Sequence, residues 1–268
     1  MAGGSLGAIF GSEISKRFSG SFDELGLELF SLSAALFLFL AMLLALYMLS
    51  ISNNDQTIDT DNAGGGSFDA IKNSLQINEI RNIATYVWIW TALMTVQWIT
   101  AINIVEDWSQ NSEQRLRFFA IMEQVISPLT LIIQLFFTNL IIKKIGIKNI
   151  LLSYGILFCI AFTLYGLIPS IISVGIVTIF LRVFEYGINK PTRETIFSTF
   201  KKNDRYKSTV FIDTFISRFG DLSGSGFIAI GKLTSIAANT FPLIAIPIAG
   251  FLSILGIRIS KNINTKDL

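Results

Sequence analysis

The chain has 268 residues, of which 51% are hydrophobic and 15% charged, with a mean hydropathy of +0.59 and a formal net charge of +2. Soluble domains carry about 25% charged residues, so the composition points to an all-α, polytopic membrane protein rather than an ordinary soluble domain. There is no histidine and only one cysteine, which excludes Ser-His catalysis, a cysteine-based metal site and an intrachain disulfide.

Taken in chain order, residues 2–11 are dense in Gly and Ala. They are too short to span a bilayer and resemble the last turns of a tightly packed membrane helix, so the expectation is that a longer parent precedes Met1. A span needs about 20 mostly apolar residues. Seven segments qualify, at 27–51, 80–104, 118–142, 148–168, 171–189, 208–231 and 236–257. The stretch 52–79 holds Gly64, Gly65, Gly66 and several aspartates, and has the composition of a flexible linker. Lys143, Lys144 and Gly146 separate two spans, with Gly146 suited to a left-handed helix cap. Cys159 lies in an apolar span and reads as a small buried hydrophobe.

Thirteen Lys and Arg fall on the side of the 143–148 and 190–207 loops and five on the other. The positive-inside rule makes the first side, and the C-terminus, cytoplasmic. The six spans after the linker form two triplets, about 80–168 and 171–257, of similar length and opposite topology. That is the inverted-repeat plan of secondary transporters. Trp88, Trp108 and Tyr86 fall near span ends and suit an interfacial aromatic belt.

Charges inside spans are the strongest functional signal. Arg182 with Glu185, and Arg218 with Asp221, sit about halfway along theirs, where a lone charge costs roughly 2.5–3.5 kcal/mol. Polar residues recur in steps of three and four in three spans: Glu123, Ser127, Thr130, Gln134 and Thr138; Thr178, Arg182, Glu185 and Asn189; Thr214, Arg218, Asp221 and Ser225. Such steps keep side chains on one helix face. Three inward stripes would enclose a polar cavity, with the spans 171–189 and 208–231 as neighbours. The plainer reading is that the charges form static pairs holding helices in register. Gly220 and Gly224 form a small-xxx-small pair for close helix contact.

The most specific stretch runs Asn189-Lys190-Pro191-Thr192-Arg193-Glu194-Thr195-Ile196-Phe197, then Arg205-Tyr206-Lys207-Ser208-Thr209, Ile212-Asp213-Thr214 and Arg218-Phe219-Gly220-Asp221. It resembles the nucleotide translocases (ATP/ADP antiporters, or NTP/NDP exchangers) and their bacterial relatives in the major facilitator superfamily, most clearly over 180–226. Ser208 and Thr209 depart from that pattern and remove one family lysine. The resemblance implies that 1–51 ends an N-terminal transporter half, 52–79 is a cytoplasmic linker, 80–258 is a six-helix C-terminal half and 259–268 is a cytoplasmic tail. It also implies a location in the bacterial inner membrane.

The expected function is alternating-access transport of an anionic or phosphorylated metabolite such as a nucleotide, with no cofactor. Arg182 and Arg218 would contact substrate, Glu185 and Asp221 would hold them when unloaded, and Glu123 and Gln134 would line the same site. Lys190, Pro191, Arg193, Glu194 and Asp213 form a cytoplasmic motif. Partners would be membrane lipid, the small anion and a preceding half of the transporter, with no nucleic acid polymer. The alternatives are a truncated membrane fragment that moves nothing and a membrane-embedded enzyme. The sequence disfavours the latter, because histidine, a Gly-x-Gly-Asp motif and a P-loop are all absent.

Overall fold

The computed structural model describes residues 2–18, 24–52, 76–200, 202–233 and 240–262, which are helical apart from short connections. In chain order the helices are α1 (Ala2–Phe18), α2 (Glu24–Ser52), α3 (Asn78–Trp108), α4 (Ser112–Ile132), α5 (Thr138–Leu167), α6 (Ile171–Phe184), α7 (Lys190–Ser198), α8 (Lys202–Phe211), α9 (Ser217–Leu233) and α10 (Thr240–Asn262). Three π-helical turns join consecutive helices without a break: Ile133–Phe137 between α4 and α5, Glu185–Asn189 between α6 and α7, and Ile212–Ile216 between α8 and α9.

Among the described residues, five helical stretches are long and apolar enough to cross a membrane: Ser31–Ile51, Asn78–Trp108, Ser112–Leu167, Ile171–Ser198 and Thr240–Lys261. The expected spans 118–142 and 148–168 fall inside one run, and 208–231 is not among the five. Its helix carries Arg218, Asp221 and Lys232 together with several serines and glycines, which lower its hydropathy. The expected loop 190–207 shrinks to the few residues after Ser198, because the Lys190–Ser198 motif continues the helix. The N-terminal small-residue segment is likewise longer than ten residues and runs to Phe18. Most of the expected linker, and residues 263–268 of the tail, lie outside the described residues.

Helix starts follow their local chemistry. Asn111 caps α4 by accepting the Glu113 N–H at 2.8 Å. Ser170, directly after Pro169, forms a reciprocal capping box with Ser173 at the start of α6. Within the long run of α4 and α5 the bend falls at Gly146, whose φ of 79° and ψ of 151° lie in a region only glycine occupies comfortably. Positive φ was the expectation; the extended ψ turns the chain back on itself instead of forming a left-handed cap.

Side-chain contacts fix how the helices run. Tyr86 meets Asn189 while Gln97 meets Thr178, so α3 and α6 are antiparallel, as two spans that start on opposite sides require. Helix α9 lies along α3 in the same direction, with Gly220 against Trp88 and Thr91, and Gly224 against Ala92. A Cβ on Gly220 would sit 2.6 Å from the Trp88 carbonyl, so the small-xxx-small pair does bring two backbones together. This makes α3, rather than α6, the main neighbour of α9. Helix α10 packs mainly on α5 and α3. Helix α1 runs antiparallel to α4, with Gln124 donating to Glu13 at one end and Gly4 and Ala8 beside Thr130 at the other.

Three glycines of α1 are not at a tight contact: Cβ atoms at Gly4, Gly7 and Gly11 would meet nothing within 4 Å. Tyr86 is fully buried and so leaves the expected aromatic belt, whereas Trp88 and Trp108 remain partly exposed. Helix α2 exposes Leu36, Phe37, Leu38 and Phe39 in succession. A helix apolar on every side is suited to lipid or to another helix.

Replacing Gly146 by alanine is expected to destabilise the protein by about 1–3 kcal/mol, because no side chain blocks the new Cβ but the backbone region itself is unfavourable. Gly250→Ala, at an equally open position inside α10, is expected to leave stability unchanged or raise it by up to about 1 kcal/mol. Thermal unfolding in detergent compares the two.

Candidate functional site

A cavity of about 370 Å³ opens between α1, α4 and the run from α6 to α7. Its wall carries Glu123, Ser127, Thr130 and Gln134 from one run, and Arg182, Tyr186 and Lys190 from the other. Four of the five residues in the first expected stripe therefore face one space. Arg182 of the second stripe joins them from midway along the Ile171–Ser198 span.

Arg182 Nη1 donates to Glu123 Oε2 at 2.5 Å, and both side chains are about a quarter exposed. The other carboxylate oxygen of Glu123 accepts from Ser127 Oγ at 2.9 Å. The Arg182 guanidinium lies 5.8 Å from the centre of the Tyr186 ring. Thr130 is 3% exposed, and its hydroxyl finds no partner among the described residues, a state that costs about 1–3 kcal/mol.

Behind this wall sits a second, dry network. Glu185 is 1% exposed and pairs with Arg193 Nη2 at 3.1 Å; its other oxygen accepts from Asn189 Nδ2 at 2.6 Å. Asn189 Oδ1 in turn accepts from Tyr86 Oη at 3.3 Å. The Arg193 guanidinium lies over the Trp90 ring at 4.6 Å, and Trp90 Nε1 donates to Tyr154 Oη at 2.6 Å. Asp213, on the third π-turn, approaches Arg193 at 4.0 Å. The network thus links α3, α5, α7 and the α8–α9 run.

Two expected pairings are corrected by this geometry. Arg182 is held by Glu123 and not by Glu185, whose partner is Arg193. The mid-span charges of 171–189 and 208–231 do not meet; the ion pair between those two runs is Arg193 with Asp213, nearer the loop. Arg218 and Asp221 do pair, at 3.1 Å, but on an outer face of α9 where Arg218 is 82% exposed. The third stripe therefore lies away from the cavity, whose wall takes four residues of the first stripe and only Arg182 of the second. Glu194 is exposed, and Lys190, expected at a cytoplasmic loop, lines the cavity instead. Tyr186, which belongs to none of the expected stripes, stands four residues from both Arg182 and Lys190, a spacing that puts all three on one helical face.

The second π-turn accounts for Pro191. Proline has no N–H, so Gly187 loses the donor that a regular helix would supply four residues on. Lys190 N–H reaches back to the Glu185 carbonyl, which leaves Tyr186 without its usual donor too. Both carbonyls are satisfied from the opposite run: Gln134 Nε2 donates to Tyr186 O at 3.0 Å, and Thr138 Oγ1 donates to Gly187 O at 2.6 Å. Among the described residues no three His, Cys, Asp or Glu side chains gather as a metal site would need.

No protein-family model, no curated protein and no solved structure matches the chain. The functional reading therefore rests on this geometry and on the residue pattern.

Glu185→Gln is expected to destabilise the fold by about 3–5 kcal/mol, because it takes the close buried partner from Arg193 and leaves only Asp213, at 4.0 Å, to balance its charge. Glu123→Gln is expected to cost about 1 kcal/mol or less, since water reaches that pair. Comparing the unfolding midpoints of the two variants checks the order; equal losses would show that the two sites do not differ in burial as described.

Proposed function

We propose that the chain forms part or all of a secondary transporter for a small anionic or phosphorylated metabolite, bound in the cavity at Arg182. The observation that carries this reading is the cavity wall itself. Two cations, Arg182 and Lys190, face one carboxylate, Glu123, in a pocket about midway along apolar spans. An anion entering it would compete with Glu123 for the Arg182 guanidinium. Lys190 supplies a second charge and Gln134 an amide at the same wall.

Static charge pairs alone would account for Glu185 with Arg193, which are dry and fully enclosed. They account less well for Arg182, which is about a quarter exposed and borders the cavity. The resemblance of the 180–226 stretch to nucleotide translocases favours exchange of phosphorylated compounds across a bacterial inner membrane, with the C-terminus cytoplasmic. The antiparallel course of α3 and α6 suits an inverted repeat that rocks around a central site.

The test uses purified protein in liposomes preloaded with unlabelled ADP or phosphate and offered the labelled compound outside. Arg182→Gln removes a charge-assisted hydrogen bond of about 1.5–3 kcal/mol. It is therefore expected to lower uptake at least about tenfold, because 1.4 kcal/mol is a factor of ten. Lys261→Gln, on an exposed last turn of α10, should change it little. Equal uptake by both variants removes the role assigned to Arg182, and wild-type protein that moves neither anion overturns the anion reading.

A further inference from the structure

We infer that a doubly charged anion binds in the cavity at Arg182 together with one proton, and that Glu123 takes the proton. This rests on the anion-binding reading of the cavity and adds what must travel with the anion. The charged side chains of the wall are Arg182, Lys190 and Glu123. Arg182 and Glu123 cancel in their ion pair, so the empty site holds a single net positive charge. A monoanion, such as a phosphodiester, would neutralise it as it stands. A phosphomonoester carries about −1.5 to −2 at pH 7 and would leave negative charge in excess. The cavity lies about midway along apolar spans, where unbalanced charge is costly. A carrier moving that excess would also work with or against the membrane potential.

The bonds at Glu123 identify the atom that takes the proton. Its Oε1 accepts from Ser127 Oγ at 2.9 Å, and its Oε2 accepts from Arg182 Nη1. An anion that takes Arg182 removes the second bond alone and sets its own negative charge beside Oε2. The Glu123 side chain is 24% exposed, so solvent reaches it. A proton from the water on the side of entry forms the O–H bond at Oε2 as the guanidinium leaves. That bond breaks, and the proton returns to water, when the anion departs and Arg182 comes back. Nothing is oxidised or reduced. While protonated, the carboxyl has an O–H to donate to the bound anion. The neighbouring charges are committed elsewhere. Packed on α4, helix α1 brings Glu13 and Lys16, which are opposite in sign and both bonded to Gln124. The α6–α7 run brings Arg182, Tyr186 and Lys190 to the cavity, while its Glu185 is paired with Arg193 behind the wall. On α4 itself the nearest charged residue is Arg117, six positions before Glu123, and the π-turn that follows α4 carries none.

The test counts protons on binding. Purified protein in weak buffer with a pH dye is titrated with methyl phosphate, the dianion, and with dimethyl phosphate, the monoanion. The titration is run at about pH 8, well above the second ionisation of a phosphomonoester near 6. Wild type should take up one proton for each methyl phosphate bound and none with dimethyl phosphate. Its affinity for methyl phosphate should then fall about tenfold per pH unit. E123Q should bind methyl phosphate with no proton uptake and little pH dependence, whereas E123D should keep the uptake. Infrared difference spectra of wild type should gain the band of a protonated carboxyl on binding, shifted in E123D. Wild type that binds methyl phosphate without taking up a proton overturns the inference and leaves the anion reading standing. Uptake that E123Q retains also overturns it, by placing the proton on the ligand. If E123Q does not fold, the infrared band decides, and a band unmoved by E123D is fatal. Wild type that binds neither anion removes the anion reading, and this inference with it.

Discussion

Pro191 has no amide hydrogen, and the π-turn before it draws the Lys190 N–H back to Glu185. The carbonyls of Tyr186 and Gly187 must therefore be met from outside their own helix. Gln134 and Thr138 meet them, and both stand on or beside the π-turn of the opposing run. This brace fixes the separation of the two runs at the cavity. Glu123 and Arg182, one turn or more away along each run, inherit that separation. The distance between the two charged walls is thus set by backbone satisfaction, before any attraction between the charges themselves.

The same π-turn divides the helix into two faces. An α-helix places positions three and four apart together, which would put Thr178, Arg182, Glu185 and Asn189 in one stripe. The wider π-turn shifts the phase partway along that series. Arg182, Tyr186 and Lys190 then face the cavity, while Glu185, Asn189 and Arg193 face the buried network. Thr178 belongs to neither and accepts from Gln97 beside Tyr165 in a separate buried cluster. One local change of pitch therefore lets a single helix serve a wet site and a dry one at once.

How much of this was legible in the residues follows from the same geometry. The apolar runs located most of the helical stretches, although much of the break expected at 190–207 is helix, and the stripe of Glu123, Ser127, Thr130 and Gln134 located the cavity wall, its last member standing on the first π-turn. The glycine pair at Gly220 and Gly224 correctly announced a close contact, although which helix it met was not contained in it. The pairing of charges was misplaced because sequence neighbours three apart, Arg182 and Glu185, were taken as partners. A π-turn has no residue pattern that periodicity detects, so the rotation between them was invisible. Arg193 as the true partner of Glu185 was hidden for the same reason, eight residues on. The exposure of Arg218 was hidden too, because a stripe tells which residues share a face but not what the face meets.

The two buried-depth ion pairs differ in what would follow from breaking them, and this separates their roles. Glu185 and Arg193 are almost completely enclosed, so parting them leaves Glu185 with only the Asn189 amide and Arg193 with the more distant Asp213, at a cost of about 3–5 kcal/mol. A pair of that kind holds helices in place. Glu123 and Arg182 are each about a quarter exposed and border open space. If Arg182 turns to another anion, Glu123 keeps its bond from Ser127 and remains in contact with the cavity. The energy of parting them is then the small difference between two anions competing for one guanidinium. Under the proposed function that difference is what a carrier requires: a site that binds when filled, closes on itself when empty, and needs little energy to pass between the two.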